Sequence, residues 1–190
     1  GKWLLRDEVG RDLGRFAALV IAAPAPQAAG LLREAMPAFA DIADGVDYAP
    51  MWAAMLTVDD DDPIGFDGLF LKGGPIGWAA RNHGKPGRTG RGWVAHAGAD
   101  WTRAHLDTPS KEVAALLAVS LAEVLDRPGD SVTPMGAHRW LYSLVPKPLD
   151  VGALWAPEQQ LAACGDWCQG ARIEGAHLSG VAAASRILGY

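Results

Sequence analysis

The tightest constraint on this chain is a run of eight consecutive apolar residues, Phe16-Ala17-Ala18-Leu19-Val20-Ile21-Ala22-Ala23, closed by Pro24-Ala25-Pro26. A strand that is apolar at every position has no solvent face, so it belongs in a sheet covered on both sides. The prolines end it, and Gln27 to Ala35 reads as a short helix stopping near Pro37. Residues 2–8 form another β-like run, joined to residues 15–23 by the turn-rich connection Gly10 to Gly14. The chain opens without Met inside this apparent strand, so the expectation is a piece of a longer protein.

From Val46 the texture changes. Met51 to Val58 alternates, with Trp52, Ala54, Leu56 and Val58 on one side. Gly68 to Lys72, Ile76 to Arg81, Gly92 to Ala97 and His138 to Val145 follow the same habit, punctuated by Gly73-Gly74-Pro75 and Lys85-Pro86-Gly87-Arg88. Short alternating strands at such intervals predict an antiparallel sheet, not a βαβ array. One helix interrupts them: Thr108 is placed to cap it, Pro109 suits its first position, and Pro128-Gly129 ends it. Its predicted apolar face is Val113, Leu116, Leu117, Leu121, Val124 and Leu125, which would cover one side of the sheet and leave the other free to wall a pocket. After Pro146-Lys147-Pro148 a linker-like segment leads to Trp155. Residues 1–45 and 150–190 thus read as one domain with 46–149 inserted, a mixed α/β chain of the α+β kind.

The last unit runs Cys164-Gly165-Asp166-Trp167-Cys168, then Gln169-Gly170-Ala171-Arg172-Ile173-Glu174-Gly175-Ala176, and on to Leu188. It reads as a short strand, a turn and a helix. Asp166 would fall at the strand end, where a carboxylate accepts hydrogen bonds from sugar or polyol hydroxyls. Gly170 and Gly175 let backbone come close to whatever lies there. Ala176, Ser179, Gly180, Ala183 and Ala184 recur at helical spacing, a stripe of small side chains against which a flat partner or a sheet can pack.

Charge and composition exclude several classes. The 190 residues carry 17 basic and 22 acidic side chains, a net charge of −5 with no basic stripe, which argues against nucleic acid. No apolar run is long enough to span a membrane, and no stretch of these residues reads as a signal peptide. Asp59 to Asp62 reads as a solvated turn. The two cysteines, Cys164 and Cys168, make no disulfide framework and have no zinc or thioredoxin spacing, which favours buried thiols and a cytoplasmic setting. Neither Gly-x-Ser-x-Gly nor a Walker A sequence occurs, so hydrolase and phosphoryl-transfer chemistry has no foothold.

Two stretches hold candidate chemistry. Arg81, Asn82, His83, Lys85 and Arg88 gather four cationic or titratable groups and an amide, which suits either a polar surface hairpin or a receiver for an anionic small-molecule substrate. In a strand His138, Trp140 and Tyr142 share a face, either a half-buried sheet face or an aromatic wall for a planar ring. Trp52, Trp93 and Trp101 are assigned to the core. His96, His105 and His177 lack metal-ligand spacing and read as structural, His177 sitting in the first turn of the last helix.

Gly165-Asp166-Trp167-Cys168, Arg172-Ile173-Glu174-Gly175-Ala176 and Leu178-Ser179-Gly180 resemble the C-terminal flavin-binding motif of FAD-dependent amine-oxidase-like proteins, the bacterial renalase-like branch most closely. Ala23 to Gln27, Trp78 to Arg88 and His138 to Tyr142 are similar to further segments of that family. The resemblance implies a Rossmann-like FAD-binding domain with an inserted, mainly antiparallel substrate domain. It implies non-covalent FAD held by Ala23, Pro24, Gly165, Asp166, Arg172, Ile173 and Glu174, and a reacting site at His138, Trp140 and Arg81. The implied activity is hydride transfer to FAD from isomers of reduced NAD(P), with reoxidation by O2 to H2O2. An amine substrate, or a piece that binds no FAD, are the alternatives. The Gly-x-Gly-x-x-Gly turn that such proteins carry for the ADP half of FAD is absent here, in keeping with the expectation of a partial chain.

Overall fold

A computed structural model of the chain describes residues 3–59 and 65–189. Up to Tyr48 it contains β1 (Trp3–Arg6), β2 (Asp12–Phe16), β3 (Leu19–Ile21), α1 (Ala25–Leu32) and α2 (Pro37–Asp44). The middle holds β4 (Ala49–Val58), β5 (Gly68–Phe70), β6 (Ile76–Arg81), β7 (Gly92–Ala97), α3 (Ala99–Ala104), α4 (Ser110–Val124) and β8 (Val132–Leu144). The remainder is β9 (Leu154–Ala156), β10 (Leu161–Ala163), α5 (Asp166–Gln169) and α6 (Ile173–Leu188). Two compact units result: residues up to Tyr48 joined with those from Leu144, and Ala49–Ser143. The sequence reading places those boundaries at 45/46 and 149/150. Helices and strands mix in both units, and strand pairing among the described residues is mostly antiparallel.

In the first unit β1 and β2 form an antiparallel hairpin, Trp3 opposite Phe16. The apolar run therefore splits: Phe16 closes the hairpin, and β3 starts afresh at Leu19. The three-stranded sheet has the order β3-β10-β9, with β10 parallel to β3 and antiparallel to β9. The strand covered on both faces is not the run at 16–23. That run supplies an edge strand, and its Val20 is 42% exposed. The central strand is the three-residue β10. Leu161 and Ala163 face α1 and α2 through Ile21, Ala28, Leu32 and Ala40. Ala162 faces the other way, packing with Cys164 and Ala183 of α6. Continuous apolarity signals burial, but the position within the sheet decides which strand receives it.

α6 meets the sheet through Gly175, Ser179 and Ala183, all buried, whereas Ala176 and Ala184 are exposed. The small stripe is thus one column of i, i+4 positions, a residue earlier than its predicted start. The predicted helix from Gln27 to Ala35 begins at Ala25 and ends at Leu32, with Pro26 in its first turn.

The second unit is a five-stranded sheet of order β5-β6-β7-β4-β8. β4 alternates as expected: Trp52, Ala54, Leu56 and Val58 are buried against α4, while Met55 on the opposite face is 50% exposed. Trp93 belongs to the same core, with Trp101 partly buried beside it. α4 begins at Ser110, with Pro109 as its cap residue and no side-chain capping bond, so Thr108 does not cap it. Its buried face is Val113, Ala114, Leu117, Ala118, Leu121 and Ala122. Leu116 and Val124, predicted for that face, are exposed. Alanines fill the stripe because they let the helix lie close on the sheet. Asp60, Asp61 and Asp62 of the acidic run lie outside the described residues, and Asp59 pairs with Arg91 at 3.3 Å.

Candidate functional site

β3 and β10 run parallel in register, Leu19 beside Leu161 and Ile21 beside Ala163, so their carboxyl ends deliver residues 22–25 and 164–167 to one place. Three hydrogen bonds lace these segments together. The Trp167 indole Nε1–H donates to the Ala23 carbonyl at 3.1 Å. The Ala25 N–H donates to the Tyr48 hydroxyl at 3.4 Å, and that hydroxyl donates to Asp166 Oδ1 at 3.2 Å. On the far side, the Gly165 N–H donates to Ser179 Oγ at 2.9 Å, and Ser179 donates onward to the Gly152 carbonyl at 2.6 Å. Four of the predicted cofactor residues, Ala23, Pro24, Gly165 and Asp166, are therefore brought together. The carboxyl ends of parallel strands are where open α/β sheets receive ligands.

Local backbone explains the spacing in this segment. Asp166 does not end a strand: it opens the one-turn helix α5, and β10 has already stopped at Ala163. Gly165 precedes that turn at φ +157°, and a Cβ there would lie 2.6 Å from Trp167 Nε1. Trp167 has no exposed surface, so glycine at 165 is what allows the indole to seal this corner. Gly175, in the first turn of α6, presses on the backbone of Gly170, where a Cβ would lie 2.7 Å from the carbonyl carbon. Arg172 is the cap residue of α6 and makes no side-chain capping bond. Ile173 (92% exposed) and Glu174 follow in its exposed first turn. The start at Ile173 moves His177 into the second turn.

Burial governs the titrating groups here. It is the main reason the Tyr48 phenol is held well above its usual range, and the Asp166 carboxylate adds to it. Burial likewise pushes the Cys168 thiol up to about 12 and raises Cys164. Both cysteines are free and buried, with Cys168 Sγ 3.7 Å from the Ala163 carbonyl.

The predicted reacting residues lie in the second unit. Arg81 ends β6, where its guanidinium meets Asp67 Oδ1 at 2.7 Å and its N–H bonds the Asp67 carbonyl at 2.8 Å. Downstream, Lys85 Nζ reaches Asn82 Oδ1 at 3.4 Å. His138 and Trp140, both exposed on β8, meet edge to face with ring centroids 4.5 Å apart. A second aromatic pair, unforeseen from sequence, is Trp78 with His96, centroids 4.7 Å apart. Burial, and secondarily the Lys85 ammonium, lower the His96 pKa. His105 has a structural role: its ring stacks on Trp101 at 3.9 Å, and its carbonyl accepts the Trp52 indole N–H at 2.9 Å.

Tyr48 is the site member that sequence reasoning missed, while Ser179 was read as part of the small-residue stripe and not as a hydrogen-bonding group. Tyr48 stands alone after α2, in no recognisable pattern, and gains its role from a partner 118 positions away. Among the described residues no group of three or more His, Cys, Asp or Glu is placed to hold a metal, and no helix is long and apolar enough to cross a membrane. No protein-family model matches the chain.

Proposed function

We propose that the chain is part of a flavin-dependent oxidoreductase of the renalase-like kind, which binds FAD at the carboxyl ends of β3 and β10. The supporting observation is the convergence of Ala23-Pro24-Ala25 and Gly165-Asp166-Trp167 at those ends, tied by Tyr48 and Trp167. The donor set fits the ribityl half of the cofactor. Asp166 is half-buried and spends one carboxylate oxygen on Tyr48, leaving the other to accept from a polyol hydroxyl. Arg172 and Glu174, exposed at the start of α6, are available to the polar edge of the flavin ring. No residue is assigned to the pyrophosphate, because the sequence has no Gly-x-Gly-x-x-Gly turn.

When bound, FAD would supply the electron acceptor: a hydride leaves the substrate, and with one proton from water it reduces O2 to H2O2. The chain contributes placement and charge, as is usual for cofactor enzymes. A dihydronicotinamide needs no catalytic base, since its ring nitrogen drives hydride loss. The Lys85 ammonium, which reaches Asn82 Oδ1 and acts electrostatically on His96, suits an anionic, phosphate-bearing substrate and would repel an amine.

Titration of the purified chain with FAD, followed by the flavin's visible band and fluorescence, tests this reading. We expect saturable binding, weakened about tenfold or more in Asp166→Ala, the cost of removing a charged hydrogen-bond acceptor. Arg172→Gln, an exposed change, is expected to weaken it less. A chain that leaves the FAD spectrum unchanged would overturn the reading and favour the piece that binds no cofactor.

A further inference from the structure

α4 covers one face of the five-stranded sheet, and the opposite face carries the two aromatic pairs. Across that face Trp78 of β6 pairs with His96 of β7, and His96 with Ala53 of β4. β8 is the next strand. The Asp59 N–H bonds the Ser131 carbonyl at 2.8 Å just before β8 begins, and further along β8 the Arg139 guanidinium lies 5.9 Å from the Trp52 ring centroid. β8 therefore runs antiparallel to β4, with Arg139 level with Trp52 on the α4 side. Alternation turns His138 and Trp140 to the opposite face, at the level of Ala53.

The order across this face is thus Trp78–His96, Ala53, His138–Trp140: two ring pairs flanking a methyl group. Adjacent strands lie about 4.8 Å apart, so the strands bearing His96 and His138 are about 10 Å apart. That gap admits one more planar ring at about 5 Å from each side, within the range of aromatic contacts. Met55, half exposed two residues along β4, borders the gap with a polarizable thioether. Lys85, exposed after β6, holds its ammonium 3.4 Å from Asn82 Oδ1 and acts electrostatically on His96. We propose that this face is a ring-binding slot: Ala53 is its floor, the Trp78–His96 and His138–Trp140 pairs are its walls, and Lys85 selects ligands whose planar heteroaromatic ring bears an anionic substituent.

The identity of that ring as a dihydronicotinamide rests on the function proposed above; the slot itself requires no flavin. The full chain, free of FAD, is titrated with NADH while energy transfer from tryptophan to the dihydronicotinamide is followed. 1-Methyl-1,4-dihydronicotinamide, which has the ring but no phosphate, is the comparison ligand. Saturable NADH binding is expected. Ala53→Leu, which fills the floor, should weaken both ligands about tenfold, and Trp78→Leu should also weaken both. Lys85→Gln should weaken NADH about fivefold, the size of one partly screened charge contact, and leave the uncharged ring within about twofold. Absence of NADH binding overturns the slot. So does unchanged affinity in a folded Ala53→Leu protein, or an equal loss of both ligands in Lys85→Gln. Failure to bind FAD with retained NADH binding overturns only the cofactor reading.

Discussion

Gly175 shows how much of this molecule turns on one hydrogen atom. Its Cα faces the Gly170 carbonyl so closely that an added methyl would overlap backbone, which cannot swing aside as a side chain can. Gly175→Ala is expected to destabilise the first unit by about 3 kcal/mol, at the upper end of the usual cost of overpacking. Urea denaturation followed by the fluorescence of buried Trp167 would measure it, and Gly180→Ala, where nothing lies within 4 Å, is the neutral control. The sequence reading saw Gly170 and Gly175 as permitting close approach and left open what approaches. The structure supplies an internal partner, α6 packed against the segment before it. Tyr48 is the opposite case. Nothing about an isolated tyrosine signals that its hydroxyl will bridge the Ala25 N–H and Asp166.

At the scale of elements, β4 and β7 were legible because one buried face and one open face impose alternation, and alternation survives without knowledge of the neighbours. α4 was legible as a helix but not in detail. Its leucines and valines were assigned to one face, yet Ala114, Ala118 and Ala122 are buried while Leu116 and Val124 are not. The sheet determines which column faces inward. His96 gives this sheet a pH response of known sign. Burial, with Lys85 second, lowers its pKa below the ordinary 6.5, so the unfolded chain takes up a proton at a higher pH than the folded one. Its contribution to stability is complete above that value and is lost as pH falls through and below it. Thermal melts of wild type and His96→Gln as pH is lowered through this range should show a smaller loss of Tm in the variant; identical slopes would count against the assignment.

At the scale of the molecule, the first unit is assembled from both ends of the chain. Parallel pairing of β3 with β10 joins residues about 140 positions apart. Cys164 and Cys168 lie in this unit, free and buried, with burial raising both thiols. We expect neither to react with a thiol reagent at mildly alkaline pH in the native state, and both to react in denaturant. Stoichiometric native labelling would mean that this core opens locally. The thiol count therefore reports on the unit whose carboxyl ends carry the proposed cofactor site.

Local pattern alone determined elements such as β4, β7 and α4, the antiparallel character of the middle segment and the division into an outer and an inserted part, but left α2, α3 and α5 unread. Periodicity, prolines and turn residues act over a few neighbours and leave their mark in any context. Tertiary structure decided the rest. It made the apolar run at 16–23 an edge strand and gave the central place to Leu161-Ala162-Ala163. It also tied Asp166 to Tyr48 and set Trp78 and His96 in the same row of the sheet as Ala53. Those outcomes depend on which distant segments share a sheet and in what register, and no local stretch of sequence contains that information.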